Sequence, residues 1–232
     1  TRWISVGPVN FQPSEFAKLA LIYVLAHYLG SNEGRLRDVL GVVVPAFGLI
    51  LLPPIILLMA QPDFGTTVIL VALFGVMLFL AGLRWRWVLS LATVGLTALG
   101  VLAVAAPYRL RRLVHFLDPF EDAEGAGYQV VQGWIALASG GLAGRGLGTG
   151  QAQSGFLPEA HTDFISAVVG EEFGAVGFVA LVASYLFVVW RGTQIAARAT
   201  DLFGNLLAMG VTTLLAAQAV INLGVVVGLV PP

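Results

Sequence analysis

Apolar runs long enough to cross a lipid bilayer recur along this chain, and no other feature constrains its fold as tightly. A membrane-spanning helix needs about 20 predominantly apolar residues. Residues 16–29 (extended by the turn before them), 39–59, 64–83, 87–106, 164–190 and 203–229 read as such spans. Composition agrees: 58% of residues are hydrophobic and 11% charged, with a mean hydropathy of +0.89. A soluble domain carries about 25% charged residues, so this chain has too little polar surface to cover a globule. The expected fold class is all-α, a polytopic helical membrane protein forming a single transmembrane domain over residues 1–232. The formal net charge of −1 gives no argument for nucleic acid. Without cysteine, a disulfide framework, a thiolate nucleophile and a thiolate zinc site are excluded. Thr1 is not an initiator, the first run lacks a signal peptide's features, and Pro231-Pro232 follow an apolar run directly. Both ends therefore read as cut from something longer.

Local signals punctuate the runs. Pro13-Ser14-Glu15 marks a helix start with Ser14 as candidate cap. Pro45, Pro53 and Pro54 predict a kink or an early end in the second run. Gln61-Pro62-Asp63 reads as a turn. If the spans alternate in direction, loops 30–38, 84–86 and 191–202 share one side, and loop 60–63 shares the other with 107–163. The first side carries Arg35, Arg37, Arg84, Arg86, Arg191 and Arg198 in short loops, which makes it cytoplasmic by the positive-inside rule. Most acids fall on the opposite side, together with Arg109, Arg111, Arg112 and Arg145. Trp3, Trp85, Trp87 and Trp190 lie near span ends, where interfacial anchors belong.

The long loop 107–163 is patterned. Apolar spacing over 128–138 predicts a helix lying at the interface or dipping into it. Gly140, Gly141, Gly144, Gly146, Gly148 and Gly150 follow, predicting tight turns or close backbone approach. This block lacks the ending of a phosphate-binding loop and follows no strand, so it is weak evidence for a nucleotide.

The few charges carry the chemistry, because an ionisable group in lipid needs a partner, a wet cavity or a function. Glu159, His161 and Asp163 crowd just before a span on the outer side. Thr162 or Asp163 could cap that helix; alternatively, the Asp163 carboxylate could act as a general base or hold a cation in a partly dry crevice. Glu171 lies two turns beyond Asp163, Glu172 points away, and the pair is either functional or satisfied by an arginine or a neighbouring helix. Glu15 and Lys18 share a face at the first span, either as a helix-end ion pair or as a lysine that meets an acid or a phosphate. Arg109, Arg111 and Arg112 either reach lipid headgroups or hold a diphosphate. Gln218 and Asn222 share a face and read as helix–helix hydrogen bonds.

Two long motifs, Asn10-Phe11-Gln12-Pro13-Ser14-Glu15-Phe16-Ala17-Lys18 and Leu157-Pro158-Glu159-Ala160-His161-Thr162-Asp163-Phe164-Ile165, resemble signatures of the SEDS family of rod-shape, division and sporulation proteins. Gln61-Pro62-Asp63-Phe64-Gly65-Thr66, Phe116-Leu117-Asp118-Pro119 and Gly170-Glu171-Glu172-Phe173-Gly174 fit the same pattern in the same order. The Phe116–Pro119 context and the lack of an extended loop insert lean toward the rod-shape branch. The resemblance implies a partial SEDS fold, about six of ten transmembrane helices, with a structured extracytoplasmic loop. The family's first three helices and its last are absent. Ser166 stands where the family commonly has a bulky aromatic.

The resemblance also implies an activity: polymerisation of lipid II into peptidoglycan strands in cell elongation, with release of undecaprenyl diphosphate. It would occur on the outer face of the bacterial cytoplasmic membrane. The implied partners are lipid II and the nascent glycan, a class B penicillin-binding protein that crosslinks strands, the elongation machinery and membrane lipid. By the same resemblance Asp163 matches the essential acid of the long extracellular loop, and Glu15 and Lys18 match the pair conserved at the start of the family's fourth helix. Lys18, Glu15, Arg112, Arg109, Glu159 and His161 are expected at the substrate. A divalent cation, magnesium or manganese, near Asp163 or Glu159 is an alternative or a helper. A lipid II flippase and a non-catalytic scaffold for the penicillin-binding protein are the competing classes.

Overall fold

The computed structural model describes residues 4–6, 9–36, 38–60, 64–104, 119–120, 127–150 and 164–230. The chain opens with an antiparallel hairpin of β1 (Ile4–Val6) and β2 (Val9–Phe11), pairing Ile4 with Phe11 and Val6 with Val9. The apolar-run reading did not anticipate it. Everything else that is regular among the described residues is helical: α1 (Pro13–Ser31), α2 (Val39–Met59), α3 (Phe64–Leu80), α4 (Trp85–Val104), α5 (Tyr128–Gly140), α6 (Ile165–Ala197) and α7 (Leu202–Val226). Among the described residues, α2, α6 and α7 are long and apolar enough to cross a membrane, and α3 adds a shorter apolar helix. These are the helices of a multi-pass membrane protein. Large apolar side chains such as Val176, Val179, Leu186 and Phe187 stand exposed along α6, an arrangement that suits lipid and would be an aggregation liability in water.

Helix ends follow residue chemistry and shift several boundaries. Pro13 occupies the first turn of α1, where its missing N–H costs nothing. Gln12, not Ser14, is the cap residue, without a side-chain cap bond. Ser14 sits inside the helix, buried, and its hydroxyl has no hydrogen-bond partner among the described residues. The prolines of α2 do not end it. The span continues through wide π-turns at Val39–Val43 and Phe47–Leu51, joined by Val44–Ala46 and followed by Leu52–Ala60. A π-turn gives up the regular bonding pattern that proline would break, so the interruption is absorbed as widened turns.

The third and sixth runs stop earlier than their apolar stretches. Leu83 N–H bonds to Leu78 O at 3.1 Å and Gly82 N–H to Phe79 O at 3.0 Å. Leu229 N–H to Gly224 O (2.7 Å) and Gly228 N–H to Val225 O (3.1 Å) repeat the pattern. Both are Schellman ends, with Gly82 (φ 91) and Gly228 (φ 75) in the left-handed conformation. Conversely, α6 runs to Ala197, so Arg191 lies in a helix rather than in a loop. The remaining turn is closed by Asp201, whose Oδ2 accepts Gly204 N–H at 3.1 Å.

Two compact units divide the chain: residues 1–99 with 189–215, and residues 100–188 with 216–232. The core of the first draws Ile22, Leu25 and Leu29 from α1, Val42 and Leu51 from α2, Leu70, Leu73 and Met77 from α3, and Leu206 from α7. The core of the second is smaller: Ala136 of α5, Phe164, Ala167 and Val168 at the head of α6, and Val225 and Val226 of α7.

Candidate functional site

In the first unit, the expected Glu15–Lys18 pair forms. Lys18 Nζ lies 2.8 Å from Glu15 Oε1, one helical turn away. The two ends of the pair differ in setting: the Lys18 side chain is 3% exposed, that of Glu15 48%. A buried ammonium requires a partner, and Glu15 supplies it from the margin of the protein. Ser14, four residues before Lys18, lies on the same buried helix face. A buried ammonium and a buried hydroxyl thus share one face near the start of α1.

In the second unit, α6 contains a break. Gly174 has φ 68 and ψ −163, a conformation foreign to helices and open essentially to glycine alone. An unbroken helix would bond Ala175 N–H to Glu171 O and Val176 N–H to Glu172 O. Here Ala175 N–H donates to Gly141 O (2.9 Å) and Val176 N–H to Leu142 O (3.4 Å). The released carbonyls are taken by the same loop, with Arg145 N–H on Glu171 O and Gly146 N–H on Glu172 O, both at 3.0 Å. The glycine block therefore replaces, bond for bond, what the break removes. Its turns do have the left-handed glycines expected of it, at 141, 144, 146 and 148.

The acids of this region are buried, with Glu171 1% exposed and Glu172 6%. Arg145 Nη1 stands 3.5 Å from Glu171 Oε1, and the Ser139 hydroxyl, which donates to Ala136 O at 2.9 Å, lies 3.4 Å from the same oxygen. Glu172 Oε1 accepts Gly148 N–H at 3.0 Å. Of the two readings of this pair, satisfaction by an arginine describes Glu171, while Glu172 is satisfied by a loop N–H rather than by a neighbouring helix. Sequence spacing missed the backbone exchange around Gly174. The signal available for it was a glycine following two acids inside an apolar run, preceded by a glycine-rich loop.

The helix expected at 128–138 is present as α5, extended to Gly140. Asp163, Glu159, His161, Arg109, Arg111 and Arg112 lie outside the described residues, as do Arg37, Asp63 and Trp3. Among the described residues no group of three or more His, Cys, Asp or Glu could hold a metal ion. Asp163 and Glu159, near either of which the sequence reading expects a cation, are not among them.

A family profile described as cell cycle protein, covering FtsW, RodA and SpoVE, matches residues 1–232. The chain belongs to this family. Its relatives include a probable peptidoglycan glycosyltransferase FtsW of Geobacter sp. (strain M18), 42% identical over all of this chain and 63% of that protein. Stage V sporulation protein E of Bacillus subtilis is 40% identical over 99% of this chain and 62% of its own length. Among solved structures, a chain from work on structural coordination of polymerization and crosslinking by a peptidoglycan synthase complex superposes with a TM-score of 0.76. It is 32% identical over all of this chain and 64% of that one. The rod shape determining protein RodA of Thermus thermophilus gives a TM-score of 0.63 at 30% identity, over all of this chain and 60% of that one. The chain thus spans less than two thirds of the length of these relatives.

Proposed function

We propose that the protein to which this chain belongs is a peptidoglycan glycosyltransferase that polymerises lipid II on the outer face of the bacterial cytoplasmic membrane. The observation that carries the reading is the buried Lys18 ammonium, paired with the half-exposed Glu15 at the start of α1, in a chain matched along its whole length by the family profile. An apolar bundle has little use for a buried ammonium unless an anion comes to meet it.

In this reading the 4-hydroxyl of an incoming sugar attacks the anomeric carbon of the growing strand. The C–O bond to undecaprenyl diphosphate breaks, and the anomeric centre inverts in one displacement. Asp163 is assigned as the general base that takes the hydroxyl proton as the new bond forms. Lys18 and Arg112 are assigned to the charge developing on the leaving diphosphate, with Arg109, Glu159 and His161 at the same substrate. Glu15 orients Lys18 and does not react. A magnesium or manganese ion near Asp163 or Glu159 is the alternative or helper that would add positive charge there.

A class B penicillin-binding protein is proposed as partner, supported by the likeness to a chain of a complex that coordinates polymerization with crosslinking. The rod-shape branch is proposed from the Phe116–Pro119 context and the likeness to RodA, while relatives of the division and sporulation branches stand at 42% and 40% identity. Complementation of rod-shape against division mutants would assign the branch.

The deciding experiment is growth of glycan from fluorescent lipid II by the intact, detergent-purified protein, with and without its partner, beside Asp163→Asn. Ladders that vanish in the variant support an aspartate base. Wild-type polymerisation by Asp163→Asn would remove Asp163 from that role. No ladders under any partner or cation condition would move the weight to transport or scaffolding.

A further inference from the structure

Glu171, Glu172 and Arg145 have no part in the reaction above, yet two carboxylates are buried at a break in a membrane helix. Left unpaired, each would be among the costliest groups in the fold. Their partners include groups of the glycine loop: Arg145 beside Glu171 and the Gly148 N–H on Glu172. The loop then closes on the α6 break by four backbone bonds, from Arg145, Gly146, Ala175 and Val176. Space is tight at this contact. A Cβ on Gly144 would run into the Glu172 carbonyl, and one on Gly140 into the Gly170 carbonyl. At the end of the loop, Gly150 is buried, and a Cβ there would stand 2.9 Å from Glu171 Oε2.

Residues 151–163 join Gly150 to Phe164. The far junction is also tied down: Phe164 is 1% exposed, packs with Ala136, Ala167 and Val168, and covers Gly133 at about the closest approach a side chain there would allow. Both ends of the segment that carries Asp163 are therefore pinned within one compact unit. We propose that Glu171, Glu172 and Arg145 are positioning residues, and that their clasp on the glycine turns sets where the chain enters the 151–163 segment. The kinetic consequence rests on the glycosyltransferase reading; the clasp itself does not.

The test uses the intact protein with its partner and three variants: Arg145→Ala, Glu172→Ala and Glu172→Gln. Arg145 is half exposed, so its loss should not prevent folding. Two quantities are read, the kcat and KM of glycan growth and amide hydrogen exchange along the chain. Arg145→Ala and Glu172→Ala should lower kcat by roughly tenfold to a hundredfold, the scale of a small misplacement of a reacting group, with KM near wild type. Exchange should rise across 141–150 and stay unchanged in α7. Glu172→Gln, whose amide oxygen still accepts the Gly148 N–H, should keep most of the activity.

A rise in exchange with kcat unchanged would overturn the positioning role. So would a fall in kcat with exchange unchanged, a change confined to KM, or faster exchange throughout α5, α6 and α7. If the intact wild type makes no glycan, the glycosyltransferase reading fails. Exchange alone then judges the clasp, and unchanged exchange in Arg145→Ala and Glu172→Ala overturns it.

Discussion

At the scale of single residues, Lys18 shows how a charge can be tolerated in an apolar bundle. Its ammonium is withdrawn from water while its partner Glu15 remains half in it, so the pair meets the desolvation cost from one side only. In the proposed reaction, removing the ammonium deletes a charge-assisted hydrogen bond worth about 1.5–3 kcal/mol. Lys18→Ala should therefore weaken lipid II binding by roughly tenfold or more. Affinity titration in detergent checks this, and unchanged binding would separate Lys18 from the diphosphate. Gly174 gives a second expectation at this scale. Alanine there must hold a conformation that costs on the order of 1–3 kcal/mol, and its Cβ would also enter the space of Gly144 and Leu142. Gly174→Ala should lower the thermal midpoint measurably, and an unchanged midpoint would mean that the break is not required.

Among elements, α1 and α7 meet so closely in the first unit that Gly210 has Ile22 and Met77 directly against it. Gly210→Leu overpacks this contact and should destabilise by about 1–3 kcal/mol, or more where the backbone cannot shift; thermal denaturation of the purified protein reads it. Helix identity was legible in the sequence because a bilayer-length apolar run admits few other structures, and α5 was legible from its spacing within a polar loop. Two things were hidden. Proline tolerance in α2 depends on π-turns, which leave no mark in hydrophobic periodicity. The break in α6 depends on bonds to a loop some thirty residues earlier, a non-local fact that runs and caps do not encode. Within the candidate site, the Glu15–Lys18 pair followed from spacing on a helix face. The partners of Glu171 and Glu172 became visible only when the glycine loop was placed beside them. The hairpin at β1 and β2 was missed because its strands are three residues each, too short for alternation to register.

For the molecule as a whole, sidedness is the property on which every proposed role depends. This chain has no cysteine, so none of its own residues competes with a single cysteine introduced into it. Arg35→Cys and Arg84→Cys should react with an impermeant thiol reagent only from the cytoplasmic side, and Arg145→Cys only from the outside. Labelling of intact cells against opened membranes measures this directly. Arg35 and Arg84 reacting on opposite sides would break the alternation on which the topology rests. Arg145 reacting from the cytoplasm would place the glycine clasp, and with it the proposed substrate face, on the wrong side of the membrane.

The clasp at Gly174 is built mainly from backbone groups, and this predicts how the region should vary under mutation. Peptide N–H and carbonyl groups are the same in every residue, so a contact made from them does not read most side chains. Leu142 and Leu147, 79% and 73% exposed, should accept many replacements, whereas Gly140, Gly144 and Gly174 should accept almost none. A saturation library selected for growth would then show isolated intolerant columns between permissive neighbours, instead of the periodic stripe that a helix packing by its side chains leaves behind. Such a region can drift far in composition while its geometry stays fixed.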